Sequence, residues 1–313
     1  MNYVDKYKEI NSSFKKTFVF NFGSEAGFFS EYNNMVLAIL YCLVNKIKFV
    51  LYSDNSKFKY NKGWTDYFKS FCDEVNDGFH EKYNLRQVEP YNIMSLKGKI
   101  KKVFIDVYKY LKKYDYLTYD LWNEFHNNNM KNNIYSIPNL FINDNLQNAC
   151  SKLIKMTWRY NDDVLLFINK TKKEIKLHGD YIGFHIRTGD KYMESNILLV
   201  SEYINKSEKI SNIKKAFVLC DDYNVFIDLI NRHKEWSFYT LCRLSEEGYV
   251  HNDFVKLDKE IRKERLLRLF ASMDILNEAK YFIGTYSSNP GMFMGMRSPE
   301  KTYGIDYDKW LIW

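Results

Sequence analysis

KTFVFNFGSEAGFFSEYNNMVLAILYCLVNKIKFVLYS, residues 16–53, carries the decision about the fold. Five of its first seven residues are aromatic or β-branched, which reads as a strand over 16–22. A loop with Gly23 and Gly27 follows, then an apolar run that predicts a helix over about 32–45. Residues 47–53, IKFVLYS, read as a second strand. Strand, glycine loop, helix and strand in that order make a βαβ opening, and such a crossover belongs to a parallel sheet.

Outward from this opening, residues 55–150 are rich in Asn and Tyr, with helices predicted near 64–75 and 106–128. A long helix is predicted over about 144–175. Beyond it, strand patterns at 181–186, 215–220, 236–240 and 281–285 alternate with helical patterns from 223, over 258–278 and after Pro290. That alternation predicts a second, mostly parallel sheet covered on both faces. The change of domain is placed between 150 and 180, giving domains 1–165 and 166–313.

The 313 residues suffice for two cores. Hydrophobic residues make up 46% and charged residues 27%, which is ordinary for a folded chain. The net charge of +7 favours an anionic partner, a nucleoside diphosphate among them. The basic residues are spread thinly, with no arginine-rich tract or zinc-finger spacing, so nucleic acid is not the expected partner. Five isolated cysteines include no CxxC pair, which argues against a disulfide framework and against a zinc site. The first residues are too polar for a signal peptide, and the apolar run at 35–44 is short of a membrane span. No membrane span and a cytoplasmic setting are the expectation.

Four polar clusters fall where predicted strands end, the edge at which open parallel sheets bind ligands. In GFHIRTGDKY (183–192), His185 and Arg187 alternate on one face of a strand. The Arg187 guanidinium suits a diphosphate and the charge that gathers on it as it leaves; the alternative is an internal ion pair with Asp190. In VLCDDYNVF, one of Asp221 and Asp222 can cap the following helix and the other can accept from a base or sugar. In FIGTYSSNPGMFMG, Thr285, Ser287 and Ser288 precede an Asn-Pro helix start that would suit a phosphate. In GSEAGFFSEYNN, Gly23 and Gly27 permit close backbone approach, and Glu25 and Glu31 are candidate general bases. GxGxxG and the Walker phosphate loop are both absent.

Taken together, these residues resemble the superfamily of α1,2-, α1,6- and protein O-fucosyltransferases. The resemblance rests on His185, Arg187 and Asp190 with Lys191 beside them, on VLCDDY, on DILNEAKYFIGTYSS, and on the glycine loop with Asn33 and Asn34. It covers about residues 17–53 and 181–297. Thr188 stands where a second Arg is usual. The resemblance implies two Rossmann-like α/β domains facing a cleft (the glycosyltransferase B type). The first would be the acceptor side, and the second would hold GDP-fucose.

It further implies transfer with inversion and without a metal. Arg187 would bind the β-phosphate; His185, Asp222 and Asp221 would serve the guanosine end. Thr285, Ser287 and Ser288 would hold the diphosphate. The base would be Glu194, one residue short of the α1,6 position, or Glu25 in the glycine loop. A glycan, glycolipid or protein hydroxyl would be the acceptor. Another sugar nucleotide as donor, or a catalytically inactive carbohydrate- or nucleotide-binding protein, is the alternative.

Overall fold

The computed structural model describes residues 2–23, 25–126, 130–188 and 199–312. The chain divides into two compact units, one running to Asn161 and the other from Asp162 to Ile312.

The first unit opens with α1 (Tyr3–Ser13), capped by the Asn2 side chain. Then come β1 (Lys16–Asn21), α2 (Phe28–Asn45), β2 (Ile47–Tyr52), β3 (Asp73–Val75), α3 (Phe79–Tyr83) and α4 (Leu96–Lys112). The unit ends with β4 (Tyr116–Leu117), α5 (Thr118–His126), the hairpin β5 (Ile134–Ile137) and β6 (Ile142–Asn145), and α6 (Leu146–Thr157). The main sheet has the order β3-β2-β1-β4 with every neighbour parallel.

Alternation along β1 explains its two buried faces. Phe18 and Phe20 meet Phe49 and Phe125 on one side, while Val19 joins Val50, Leu117, Phe79 and Ile105 on the other. Each of the fully buried Phe rings contributes about 1.5–3 kcal/mol of apolar transfer.

Three expected helices differ. The segment expected as a helix over 64–75 is only a short turn, Trp64–Asp66. There the Asp66 carboxylate collects the N–H groups of Tyr60, Asn61, Lys62 and Gly63. The pattern over 106–128 is two helices, α4 and α5, separated where Lys113 turns left-handed at φ 57°. The helix expected over 144–175 is broken at residues 158–161. Those residues bond sideways instead: Lys69 N–H donates to the Arg159 carbonyl at 2.7 Å, and Asn161 N–H to Tyr67 at 3.0 Å.

The second unit contains α7 (Asp162–Glu174), β7 (Ile182–Ile186), α8 (Val200–Ile210), β8 (Lys215–Cys220), α9 (Tyr223–Arg232) and β9 (Ser237–Thr240). It closes with α10 (His251–Phe254), α11 (Lys259–Glu278), β10 (Tyr281–Gly284), α12 (Asn289–Arg297) and β11 (Thr302–Gly304). Among the described residues its five strands run parallel in the order β11-β10-β7-β8-β9. Ile182, Phe184 and Ile186 of β7 pack with Tyr203 and Ile204 of α8 and with Phe226 and Leu229 of α9. On the opposite face α11 lies so close that a Cβ on Gly183 would meet Leu276 at 2.8 Å. The sheet is thus covered on both faces, as parallel sheets require.

Candidate functional site

The strand order of the second unit reverses at β7. β8 and β9 lie to one side of it, β10 and β11 to the other. At the carboxyl edge of such a reversal the flanking loops part, which opens a ligand crevice. His185, one residue from the end of β7, pairs in register with Gly284 of β10 and Leu219 of β8. Arg187 and Thr188 leave the sheet at that edge, as do Asp221 and Asp222 after β8 and Thr285 after β10. Register therefore gathers three sequence clusters that lie up to a hundred residues apart along the chain. His185 itself is buried.

Arg187 forms an ion pair with Asp221, and both side chains are mostly buried. Its Nη2 donates to the Tyr249 carbonyl at 3.1 Å, and the guanidinium lies 5.1 Å over the Tyr249 ring. Asp221 is the hub of this arrangement. Its Oδ1 accepts from the Thr188 N–H at 2.9 Å and hydroxyl at 3.0 Å, and its Oδ2 accepts from the Tyr249 N–H at 3.1 Å. Thr188 thus serves the carboxylate. Asp222 caps α9, accepting from the Asn224 N–H at 2.8 Å. Asp190, Lys191 and Glu194 lie outside the described residues.

After β10, the Thr285 hydroxyl donates to Ser288 Oγ at 2.8 Å, and the Ser288 hydroxyl donates to the Thr285 carbonyl at the same distance. Ser288 is the N-cap of α12 without a side-chain cap bond, because its hydroxyl is turned to Thr285. The N–H groups of Tyr286 and Ser287 donate to the Asp306 carboxylate at 2.7 and 2.9 Å. Asp306 was missed in the sequence. Its signal was an acidic residue two positions past β11, at the same carboxyl edge.

In the first unit the strand order reverses at β1, between β2 and β4. The loop after β1 starts with Gly23 at φ 81°, a left-handed conformation that favours glycine. Gly27 is the N-cap of α2 at φ −62°. Glu31, with no exposed surface, binds this loop from inside. Its carboxylate accepts from Gly23 N at 3.2 Å, Glu25 N at 3.3 Å, Ala26 N at 2.9 Å and Arg86 Nη1 at 2.9 Å. Burial pushes the Glu31 carboxyl above the usual carboxylate range, against the lowering pull of Arg86 and the three backbone N–H groups.

Glu25 is exposed, and one of its oxygens accepts from the Arg86 N–H at 3.0 Å. Arg86 lies 4.8 Å over the Trp122 ring, on which His126 also stacks at 4.7 Å. His126 Nδ1 meets Asn34 Oδ1 at 2.8 Å, and burial together with Arg86 holds its pKa below the usual histidine value. Arg86, Trp122 and His126 were also missed. The signal was faint: Arg86 and Arg159 are the only arginines before residue 162 in a lysine-rich stretch. Among the described residues, no group of three or more His, Cys, Asp or Glu side chains is placed to hold a metal ion. Among them, too, no helix is long and apolar enough to cross a membrane.

Searched against family models, the chain matches none. No curated protein sequence matches it either. Solved structures do match. The α-1,6-fucosyltransferase NodZ soaked with GDP-fucose superposes with a TM-score of 0.54 at 14% identity, covering 90% of this chain and 92% of that one. NodZ from Bradyrhizobium gives 0.54 at 14% identity, covering 92% and 93%. An Arabidopsis thaliana FUT1 variant in complex with GDP gives 0.50 at 12% identity, covering 96% of this chain and 74% of that one. At such identities the likeness is one of fold. The chain has the two-unit α/β fold of the glycosyltransferase B type.

Proposed function

We propose that the chain is a glycosyltransferase that moves fucose from GDP-fucose to a hydroxyl of a glycan, glycolipid or protein, with inversion at the anomeric carbon. The supporting observation is the strand reversal at β7, which brings Arg187 with its Asp221 partner and the Thr285–Ser288 turn to one edge. The NodZ structures of like fold include one soaked with GDP-fucose, which makes that donor the first to try.

In the proposed reaction the acceptor oxygen attacks the anomeric carbon while the bond from that carbon to the β-phosphate oxygen breaks. The bonding pair leaves with the diphosphate, and the acceptor proton passes to a carboxylate. The transition state is oxocarbenium-like at the sugar and gathers negative charge on the leaving group. Arg187 meets that charge. Asp221 and the Tyr249 ring hold the guanidinium in one orientation, so little reorganisation is needed when charge develops. The turn with Thr285, Ser287 and Ser288 serves the phosphates, and His185 and Asp222 serve the guanosine end. Glu25 and Glu194 are the proposed bases; Glu31 acts by positioning the loop that carries Glu25.

Arg187→Ala tests the reading. Release of GDP from GDP-fucose, with oligosaccharide, glycolipid and Ser/Thr-peptide acceptors supplied in turn, should fall by about two to three orders of magnitude. A near-normal rate would remove Arg187 from the mechanism. Thermal stabilisation by a panel of sugar nucleotides tests the donor, since a ligand that binds the fold raises its melting temperature.

The Arg187–Asp221 ion pair also favours a second reading. A guanidinium neutralised by its own carboxylate suits a protein that binds a sugar nucleotide without turning it over. GDP binding by the unaltered chain, with no transfer to any acceptor class, would select that reading.

A further inference from the structure

α4 presents its apolar residues to solvent. Its buried residues are Gly98 and Ile105, and beside them Tyr108 stacks on Phe79 at 3.6 Å. Leu96, Ile100, Val103, Val107, Tyr110 and Leu111 are all between 50% and 83% exposed. At 3.6 residues per turn these six fall within one arc of about 100°, directly opposite Gly98 and Ile105. Ile93 and Met94, just before the helix, are exposed as well.

The rim of this arc is basic. Residues 96–113 hold seven lysines and one acidic residue, Asp106. Lys102, Lys109 and Lys112 pair with Asp106, Asp120 and Asp77. Lys97, Lys99, Lys101 and Lys113 are exposed and make no ion pair among the described residues. Lys97 and Lys99 border the apolar arc on its two sides.

A second copy of the chain would set this lysine rim against itself. An anionic lipid surface complements both features, because acyl chains accept the apolar arc and headgroups the ammonium groups. We infer that α4 is an interfacial helix, which lays the first unit on an anionic membrane surface without entering it. The helix is about 25 Å long, enough to lie along the headgroup plane. This inference is independent of the donor chemistry proposed above.

The test is co-sedimentation of the full chain with phosphatidylcholine vesicles, with and without phosphatidylglycerol. The expected result is binding to the anionic vesicles that weakens with salt. Lys97→Gln and Lys99→Gln together should lower the partition coefficient about thirtyfold. Val103→Asp with Val107→Asp should abolish binding, with the circular dichroism spectrum and melting temperature of the chain retained, since both side chains face outward. Absence of binding to anionic vesicles overturns the inference, as does equal binding to neutral ones or binding unmoved by either set of substitutions. A self-association in sedimentation velocity that Val107→Asp abolishes would also overturn it, by assigning the arc to a second copy.

Discussion

Replacing Glu31 by alanine should cost the first unit about 3–5 kcal/mol, the range for breaking a buried ion pair from one side. The structure sets that magnitude. Glu31 has no exposed surface, and its carboxylate satisfies Arg86 Nη1 and three backbone N–H groups of the glycine loop. Alanine would leave a buried guanidinium without its carboxylate and three loop donors in search of water. Melting followed by tryptophan fluorescence is the assay, because Trp122 lies beneath Arg86. For a unit of this size the loss corresponds to a fall on the order of 10 °C. Arg86→Met in the same chain should restore part of it, since the second change removes the stranded charge, so the double substitution should cost less than the sum of the two. A loss below about 1 kcal/mol for Glu31→Ala, or strict additivity of the pair, would refute the clamp.

His80 should give the first unit a pH-dependent stability. Burial among aromatic rings holds its pKa down to about 4 against an ordinary 6.5. Above pH 6.5 neither state binds the proton; as pH falls below it the unfolded chain takes the proton up and the fold does not. Stability should therefore drop by on the order of 3 kcal/mol between those two pKa values, and His80→Gln should flatten that slope in urea titrations. Asp221→Asn removes the charge that orients Arg187 and should lower turnover of GDP-fucose by about ten- to a hundredfold; an unchanged rate would deny it that role. Asp306→Ala strips the partner from two backbone N–H groups in the turn before α12 and should cost about 1–3 kcal/mol in thermal unfolding. If transfer needs no metal, turnover after exhaustive EDTA treatment should be undiminished; activity that returns only with added magnesium or manganese would contradict that expectation.

Strands with unbroken apolar patterns were legible in the sequence. β1, β2, β7, β8 and β10 fall within a residue or two of their expected ranges, because each is buried on both faces and nothing competes with its pattern. The convergence of Arg187, Asp221 and Thr285 followed from where those strands end. Legibility stopped where tertiary bonds override local preference. α2 starts at Phe28 rather than 32, because Phe28 and Phe29 are drawn into a ring cluster with Trp158 and Glu31 must reach back to the loop. The helix pattern over 144–175 is continuous by residue type, yet the Arg159 carbonyl and the Asn161 N–H are spent on the segment at 67–69. Partners ninety residues away leave no local mark. Arg86 was illegible for the same reason, since its carboxylate lies 55 positions earlier in the chain.

The seam at residues 158–161 also decides when the first core can close. Trp158 and Tyr160 complete the cluster around Phe28, Tyr32 and Phe68, and Tyr160 forms a bridge with Phe68. A nascent chain that has emerged only to Thr157 holds those rings without their lid, an exposed apolar surface of the kind chaperones engage. Four more residues close it, so the first unit completes its core only once its own last residues are free to fold back.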